Sequence, residues 1–324
     1  MKSKEVLVSI SCITYNHVQY IRQCLDGFLM QQTNFAFEVL IHDDCSTDGT
    51  TEIIKEYELM YPDIIKPIYE KENQYQQGKP SGSVVWNFPR AQGKYIAMCE
   101  GDDYWIDPLK LQKQVDFLDA NLEYGMCYTN FNIYYQDTKH IVHDVFTTHS
   151  QKFPIKYDSV EEFVLKGGYV CPPSWVFRKE CLPTSTIQSV DGTFVLFTHF
   201  LCTTKVHGMI DTTATYRILQ ESASHSRDYN KLYHRAKNLL ETQLKLIDTY
   251  KLDSSLKQKC EEAHYKNCLI GFVIHNKVED IKIAKKIIKN KMIRERILLF
   301  CSLTKLGRNI LKYVYPRLKA LKML

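Results

Sequence analysis

Long apolar runs are missing from this chain. No stretch approaches the roughly 20 apolar residues that a membrane-spanning helix requires. The opening Met1-Lys2-Ser3-Lys4-Glu5 leads only into a short apolar run broken by Ser9, Ser11 and Thr14. That run lacks the shape of a secretion signal, so the expected location is the cytoplasm. The 11 cysteines include no Cys-x-x-Cys pair and no Cys/His ligand spacing, which argues against a disulfide framework or a structural zinc site. They read as reduced, mostly buried, small apolar residues. Glycine is absent between Gly208 and Gly271, and proline between Pro183 and Pro316, while charge and Leu/Ile recur there at helical spacing.

With 324 residues, 44% hydrophobic and 24% charged, the chain is ordinary globular material with room for a substantial core and two or three substructures. The net charge of +5 hides an asymmetry, because the segment from Lys277 to Leu324 carries 14 Lys and Arg against 3 Asp and Glu. The rest of the chain is acidic. A basic tail on an acidic body, with no recognition motif, fits nucleic acid poorly.

Read in order, Glu5–Thr14, Phe37–His42 and Ile64–Tyr69 are strands, and Tyr20–Gln31 and Thr51–Tyr61 are the helices between them. A polar loop, Glu70–Ser83, and a helix-like segment, Val84–Ala91, precede a fourth strand at Tyr95. This alternation predicts an α/β fold with an open, mostly parallel nucleotide-binding sheet flanked by helices. Such sheets bind ligands beyond the carboxyl ends of their strands. Three polar clusters fall there: Tyr15-Asn16, Asp43-Asp44, and Glu100-Gly101-Asp102-Asp103. Each alone is also a plain turn or helix cap. Three carboxylates within four residues repel one another and call for a cation or strong donors. Mg2+, held by one or two carboxylates and the oxygens of a phosphorylated ligand, suits them.

The succession Thr14-Tyr15-Asn16, Asp43-Asp44 with Ser46-Thr47-Asp48-Gly49-Thr50, then Gly93-Lys94-Tyr95-Ile96 and Glu100-Gly101-Asp102-Asp103-Tyr104-Trp105 resembles family 2 glycosyltransferases of the A-type fold, including those that build bacterial surface polysaccharides. The resemblance covers roughly residues 5 to 120. It implies a nucleotide-sugar donor, Mg2+ or Mn2+, and inverting transfer of one sugar to an acceptor hydroxyl on a saccharide or lipid-linked saccharide. Carried over by position, Tyr15 packs on the nucleobase beside Asn16, Asp44 bonds a base edge, and Asp43 supports that turn. Asp102 binds the metal. Glu100 stands at the first acidic place of the family's Asp-X-Asp motif with a longer arm, leaving metal, ribose and loop contacts open to it. Asp103 is a further ligand or a supporting carboxylate.

Downstream, Leu109–Asn121 reads as a helix with an apolar stripe, Tyr124–Tyr135 as an aromatic strand, Lys139–Lys156 as loop, Ser159–Lys166 as a short helix and Val176–Arg178 as a strand. The resemblance puts this region on the acceptor side, where Trp175 either stacks on a sugar or sits in the core. It places the catalytic base in a loop before a helix, followed by a Tyr-Arg pair, which assigns Asp191 as base and Tyr216-Arg217 as the pair. A carboxylate is the residue type needed to take the acceptor hydroxyl proton. The family's frequent His after that pair is Leu219 here, and His225 is the candidate replacement metal ligand, or a solvated loop residue.

The expected division is 1–105 for the nucleotide-sugar half, 106–228 for the acceptor half and 229–324 for a helical, basic extension. Residues 277–324 suit either an anionic membrane surface, with peripheral attachment to the inner face of the cytoplasmic membrane, or packing on the catalytic domain. Two other functions stay open: a sugar-phosphate nucleotidyltransferase, although Ile10–His17 lacks the Gly and Lys of a triphosphate loop, and a non-catalytic membrane-associated relative.

Overall fold

The computed structural model describes residues 5–79, 82–185, 187, 189, 191–219, 228–289 and 291–320. The chain divides into two compact units. The first comprises Met1–Val160, Tyr169–Thr186 and Gly192–His225, and the second Glu161–Gly168, Ile187–Asp191 and Ser226–Leu324.

The first unit is built on a sheet of nine strands: β1 (Val6–Thr14), β2 (Ala36–Asp43), β3 (Ile65–Tyr69), β4 (Tyr95–Met98), β5 (Tyr104–Trp105), β6 (Tyr124–Tyr135), β7 (His140–Val142), β8 (Trp175–Arg178) and β9 (Lys205–Ile218). Their order is β3-β2-β1-β4-β8-β6-β9-β5, with β7 on β6. The first four strands pair in parallel, as their apolar runs require of strands covered on both faces. Beyond β4 the sheet turns mixed: β8 is antiparallel to β4 and β6, β5 to β9, while β6 and β9 run in parallel. The open sheet flanked by helices is as expected, and parallel pairing is concentrated in its first half.

Helices α1 (Ile21–Leu29) and α2 (Thr50–Met60) follow β1 and β2. On α1, Ile21, Cys24, Leu25 and Phe28 are buried while Leu29 is half-buried. Burial of Ile21, Leu25 and Phe28 contributes about 1.5–3 kcal/mol each. Gly27 lets α1 close on β5, because a Cβ there would lie 3.0 Å from the Trp105 nitrogen. The helix expected over Val84–Ala91 is instead α3 (Ser83–Trp86) and a separate 3-10 turn, Phe88–Arg90, in which Pro89 occupies the start. Helix α4 (Lys110–Ala120) buries Leu111, Val115 and Leu118, the expected stripe.

The segment expected as loop, 139–156, contains β7 and a short helix, α5 (Val145–Thr148). Helix α6 (Val160–Lys166) is the expected short helix, and α7 (Gly192–Thr203) begins directly after Asp191. Strand β9, which no sequence pattern marked, is the longest of the sheet, at 14 residues. Its partners hide it: the strand runs through Thr212, Thr213 and Thr215, whose hydroxyls break the apolar signal, and Thr213 bonds Thr129 at 2.6 Å.

The second unit is helical. It contains α8 (Tyr229–Thr249), α9 (Ser255–Ile274), α10 (Val278–Ile287), α11 (Ile293–Cys301) and α12 (Lys305–Ala320). The break between α8 and α9 falls at Leu252-Asp253-Ser254. Leu269, Phe272 and Val273 of α9, Ile281 and Ala284 of α10, and Leu298 and Leu299 of α11 form its core. No helix of the described residues is long and apolar enough to cross a membrane. None of the 11 cysteines is joined in a disulfide.

Candidate active site

Three turns meet at the carboxyl ends of β1, β2 and β4. Thr14 is in register with Asp43, the Asp44 N–H donates to the Thr14 carbonyl (3.0 Å), and the Gly101 N–H donates to the Ile13 carbonyl (3.0 Å). Parallel pairing thus places Tyr15-Asn16, Asp43-Asp44 and Glu100–Asp103 along one sheet edge.

The first two turns are clasped together. Asn16 has φ 55°, a left-handed conformation that Asn tolerates better than most residues. From there its Oδ1 accepts from the Thr47 N–H (2.9 Å) and its own N–H donates to Ser46 Oγ (2.9 Å). Asp48 accepts from the Val18 N–H at 3.0 Å and from Thr50 Oγ1 at 2.6 Å. Burial pushes the Asp48 carboxyl up, but bonds from the Thr50 hydroxyl and from the Val18 and Thr50 amides outweigh it and hold the group below its usual value.

Asp43, 1% exposed, is used up by its own turn: Oδ1 accepts from Ser46 N (3.1 Å) and Ser46 Oγ (2.5 Å), and Oδ2 from the Thr51 hydroxyl. Asp44 reaches the loop after β3, accepting from the amides of Gln74 (2.7 Å) and Tyr75 (3.1 Å). The Tyr15 hydroxyl accepts from Gln76 Nε2 of the same loop at 3.3 Å.

The third turn is different in kind. Glu100, Asp102 and Asp103 each offer a carboxylate oxygen within 4.8 Å of the others, the one such acidic group among the described residues. Asp103 is 1% exposed; its Oδ1 accepts the Arg217 N–H at 2.7 Å, and its Oδ2 has no hydrogen-bond partner among the described residues. Burial raises the Asp103 carboxyl well above the usual carboxylate range, and the charges of Asp102 and Glu100 add to this against the opposing Arg217. A buried, orphaned oxygen beside two more carboxylates is a donor set for a hard divalent cation. Gly101 is needed between them, since a Cβ there would lie 2.6 Å from Thr14 Oγ1.

Two side chains to which sequence alone assigns no role in this turn complete it. His17 places Nε2 4.0 Å from Asp102 Oδ2, with Nδ1 3.1 Å from Thr14 Oγ1. Its only sequence signal was its place after Tyr15-Asn16. Arg217, treated in the sequence as a landmark, is the fastener. Its guanidinium donates to the Asp102 carbonyl, Gln136 Oε1 and Gln23 Oε1, all at 2.7 Å, within 4.7–5.3 Å of the ring centres of Tyr20, Tyr104 and Tyr134.

Trp175 is 1% exposed and packs on Phe197 at 5.4 Å, so of its two readings the core one holds. Asp191 belongs to the second unit. There its Oδ2 accepts from Arg235 at 3.2 Å and its N–H donates to Ser189 Oγ at 3.1 Å. His225 and the segment Gln220–Ser226 lie outside the described residues.

Residues 9–183 match the model of "Glycosyl transferase family 2". The chain belongs to glycosyl transferase family 2. An uncharacterized protein of Mycobacterium tuberculosis is 46% identical over 134 residues, 40% of this chain and 36% of that protein. The putative teichuronic acid biosynthesis glycosyltransferase TuaG of Bacillus subtilis is 34% identical over 140 residues, 42% of this chain and 51% of its own. The chain thus spans about a third to a half of the length of these curated relatives. Among solved structures, S. aureus TarS 1-349 in complex with UDP-GlcNAc matches with TM-score 0.59 at 17% identity, covering 96% of this chain and 92% of that one. That likeness establishes the glycosyltransferase A-type fold, C-terminal helices included. Nothing in these matches favours the nucleotidyltransferase alternative.

Proposed function

We propose that the protein is an inverting glycosyltransferase that moves a sugar from a nucleotide-sugar donor to an acceptor hydroxyl in cell-surface polysaccharide synthesis. The observation that carries this reading is the acidic turn Glu100–Asp103 at the end of β4, inside the family-matched segment and beside the turns of Tyr15 and Asp44. The donors named for fold neighbours support it: TarS was solved with UDP-GlcNAc, and a Pyrobaculum calidifontis mannosyltransferase with GDP-Man and Mn2+.

In this reading residues 1–105 bind the donor, 106–228 the acceptor, and 229–324 form the helical extension. Tyr15 and Asn16 meet the nucleobase, Asp44 reads its edge, and Asp43 fixes that turn. Asp102, with Glu100 and Asp103, would hold Mg2+ or Mn2+, which when bound supplies positive charge against the diphosphate. Arg217 and Gly101 keep this turn rigid, so that its charges are in place before the donor arrives. Asp191 takes the proton of the acceptor hydroxyl as its oxygen bonds the anomeric carbon and the bond to the diphosphate breaks. Arg235, 3.2 Å from it, orients that carboxylate. The basic segment 277–324 places the enzyme at the inner face of the cytoplasmic membrane, near a lipid-linked acceptor.

The test is a melting-temperature screen of the full chain against UDP-, GDP- and dTDP-sugars with and without Mn2+ or Mg2+, followed by nucleoside diphosphate release with a saccharide acceptor. A metal-dependent rise with one donor is expected, because a ligand of the native state stabilises it. Asp191→Asn should keep that rise and lose transfer. Absence of both the rise and the release for every donor would overturn the reading.

A further inference from the structure

Helices α11 and α12 each bury one face and leave an apolar face uncovered. On α11, Leu298 and Leu299 enter the core of the second unit, and on α12 Leu311 packs against the same core. The opposite positions carry Ile297 and Phe300 on α11 and Leu306, Ile310 and Tyr313 on α12, each set at three- and four-residue spacing, with Leu303 exposed in the turn between them. Phe300 is 74% exposed, Leu306 71% and Tyr313 63%. Exposed apolar side chains scattered singly are ordinary, but a row of six from Ile297 to Tyr313 on two successive helices is not. Gly307 fixes the bend between the helices, because a Cβ there would lie 2.6 Å from the Cys301 carbonyl, and Arg308 closes it by donating to the Ser302 carbonyl at 2.6 Å.

We infer that this row is a bilayer-inserting surface, seated among the acyl chains of an anionic lipid leaflet with Arg296, Lys305 and Lys312 at the phosphate level. Charge decides among occupants. The segment from Lys277 carries 14 cations against 3 anions, so a second copy would bring like charge to like, whereas an anionic headgroup layer complements it. No helix of the described residues spans a bilayer, and apolar contact together with basic charge gives the two signals that stable peripheral attachment needs. The inference deepens the membrane placement above and rests on it, but not on the transfer chemistry.

The test uses the full chain and sedimentation with vesicles of phosphatidylcholine alone or mixed with phosphatidylglycerol, with nucleoside diphosphate release followed in the same samples. Binding is expected only with phosphatidylglycerol present, weakened by high salt. The triple variant Phe300→Ser, Leu306→Ser, Ile310→Ser should lose affinity at least about tenfold, because those three are half of the six apolar side chains in the row. Its melting temperature should hold, since all three are exposed. Lys305→Gln with Lys312→Gln should lose less. Because a serine variant could misfold, Phe300→Trp gives a second reading: its added fluorescence should be quenched by brominated phosphatidylglycerol vesicles. Vesicle binding unchanged in the triple variant, or added tryptophan fluorescence that stays unquenched in the Phe300→Trp variant, overturns the inference. So does a wild-type dimer that the triple variant splits while neither binds vesicles. Vesicle binding with neither a donor-dependent melting rise nor nucleoside diphosphate release for any donor would leave this surface standing and sink the transferase reading instead.

Discussion

The turns that follow β2 and β4 are both acidic, both at the carboxyl ends of parallel strands, and opposite in their state of satisfaction. Asp43 and Asp44 spend their oxygens on Ser46, Thr51, Gln74 and Tyr75. The turn of Glu100, Asp102 and Asp103 crowds three carboxylates within 4.8 Å and leaves Asp103 Oδ2 unpaired among the described residues. The first turn is held together by its acids, and the second is held together in spite of them by Arg217. A carboxylate saturated from within contributes stability, whereas crowded carboxylates store repulsion that an incoming cation relieves. The two turns should therefore fail differently when broken.

The largest effect is expected at Asp102. Asp102→Ala should lower kcat/KM by about a thousandfold, comparable to removing a principal electrostatic contact of a transition state, and abolish the metal-dependent melting shift. Its melting temperature without ligand should stay level or rise, since one of three like charges is gone. A clear fall in that temperature would show that the second turn depends on its acids as the first does. Next comes Arg217→Met, which frees the Asp102 carbonyl and both glutamine oxygens while the Arg217 amide still bonds Asp103. Turnover should fall about a hundredfold through misplacement of the turn, with Mn2+ bound more weakly. Arg217→Lys, unable to fork to three acceptors, should recover only part of it. Unchanged Mn2+ affinity in the methionine variant would remove Arg217 from the site.

The mirror-image experiment is Asp43→Ala. It strips acceptors from the Ser46 amide, the Ser46 hydroxyl and the Thr51 hydroxyl in a buried place, so about 2–3 kcal/mol of stability should be lost in denaturant titration. Residual activity should track the folded fraction. A variant as stable as wild type but inactive would make the first turn a reaction site like the second.

How much of this contrast was legible beforehand follows from what sequence encodes. Strand and helix periodicity located β1 to β4, α1, α2 and α4, because buried faces impose their spacing on apolar residues. It also put the three turns on one edge, since parallel strands end together. The saturation of Asp43 and the isolation of Asp103 Oδ2 were not readable, because both depend on contacts across 114 residues or within a loop whose geometry no spacing fixes. Strand β9 escaped for the same reason: its threonines carry strand propensity but no apolar alternation, and its partner β6 lies far away in sequence. Trp175 had two readings that only burial separates.

The smallest effect separates the turns by pH. Near each lies a basic group whose pKa burial lowers. His42, stacked on Trp86 at 4.6 Å beside Asp43, has its pKa lowered by burial, against the charges of Asp44 and Glu70. Lys110, fully buried with Nζ 4.5 Å from the Trp105 ring centre and 2.6 Å from Gln114 Oε1, is lowered by burial to about 7. Both bind fewer protons folded than unfolded, so both make stability rise with pH, but in different windows. The His42 contribution is lost as pH falls below the unfolded histidine value of 6.5. The Lys110 contribution grows between about pH 7 and the unfolded lysine value of 10.5. From about pH 7 to about pH 8, below the ordinary thiol range, it should add about 1 kcal/mol relative to Lys110→Met. Denaturant midpoints across that range should climb in the wild type and in His42→Gln, and flatten in Lys110→Met. A Lys110→Met profile that still climbs would mean that the lysine under the second turn is charged in the native state. In that case both acidic turns, and not only the first, would be compensated from within.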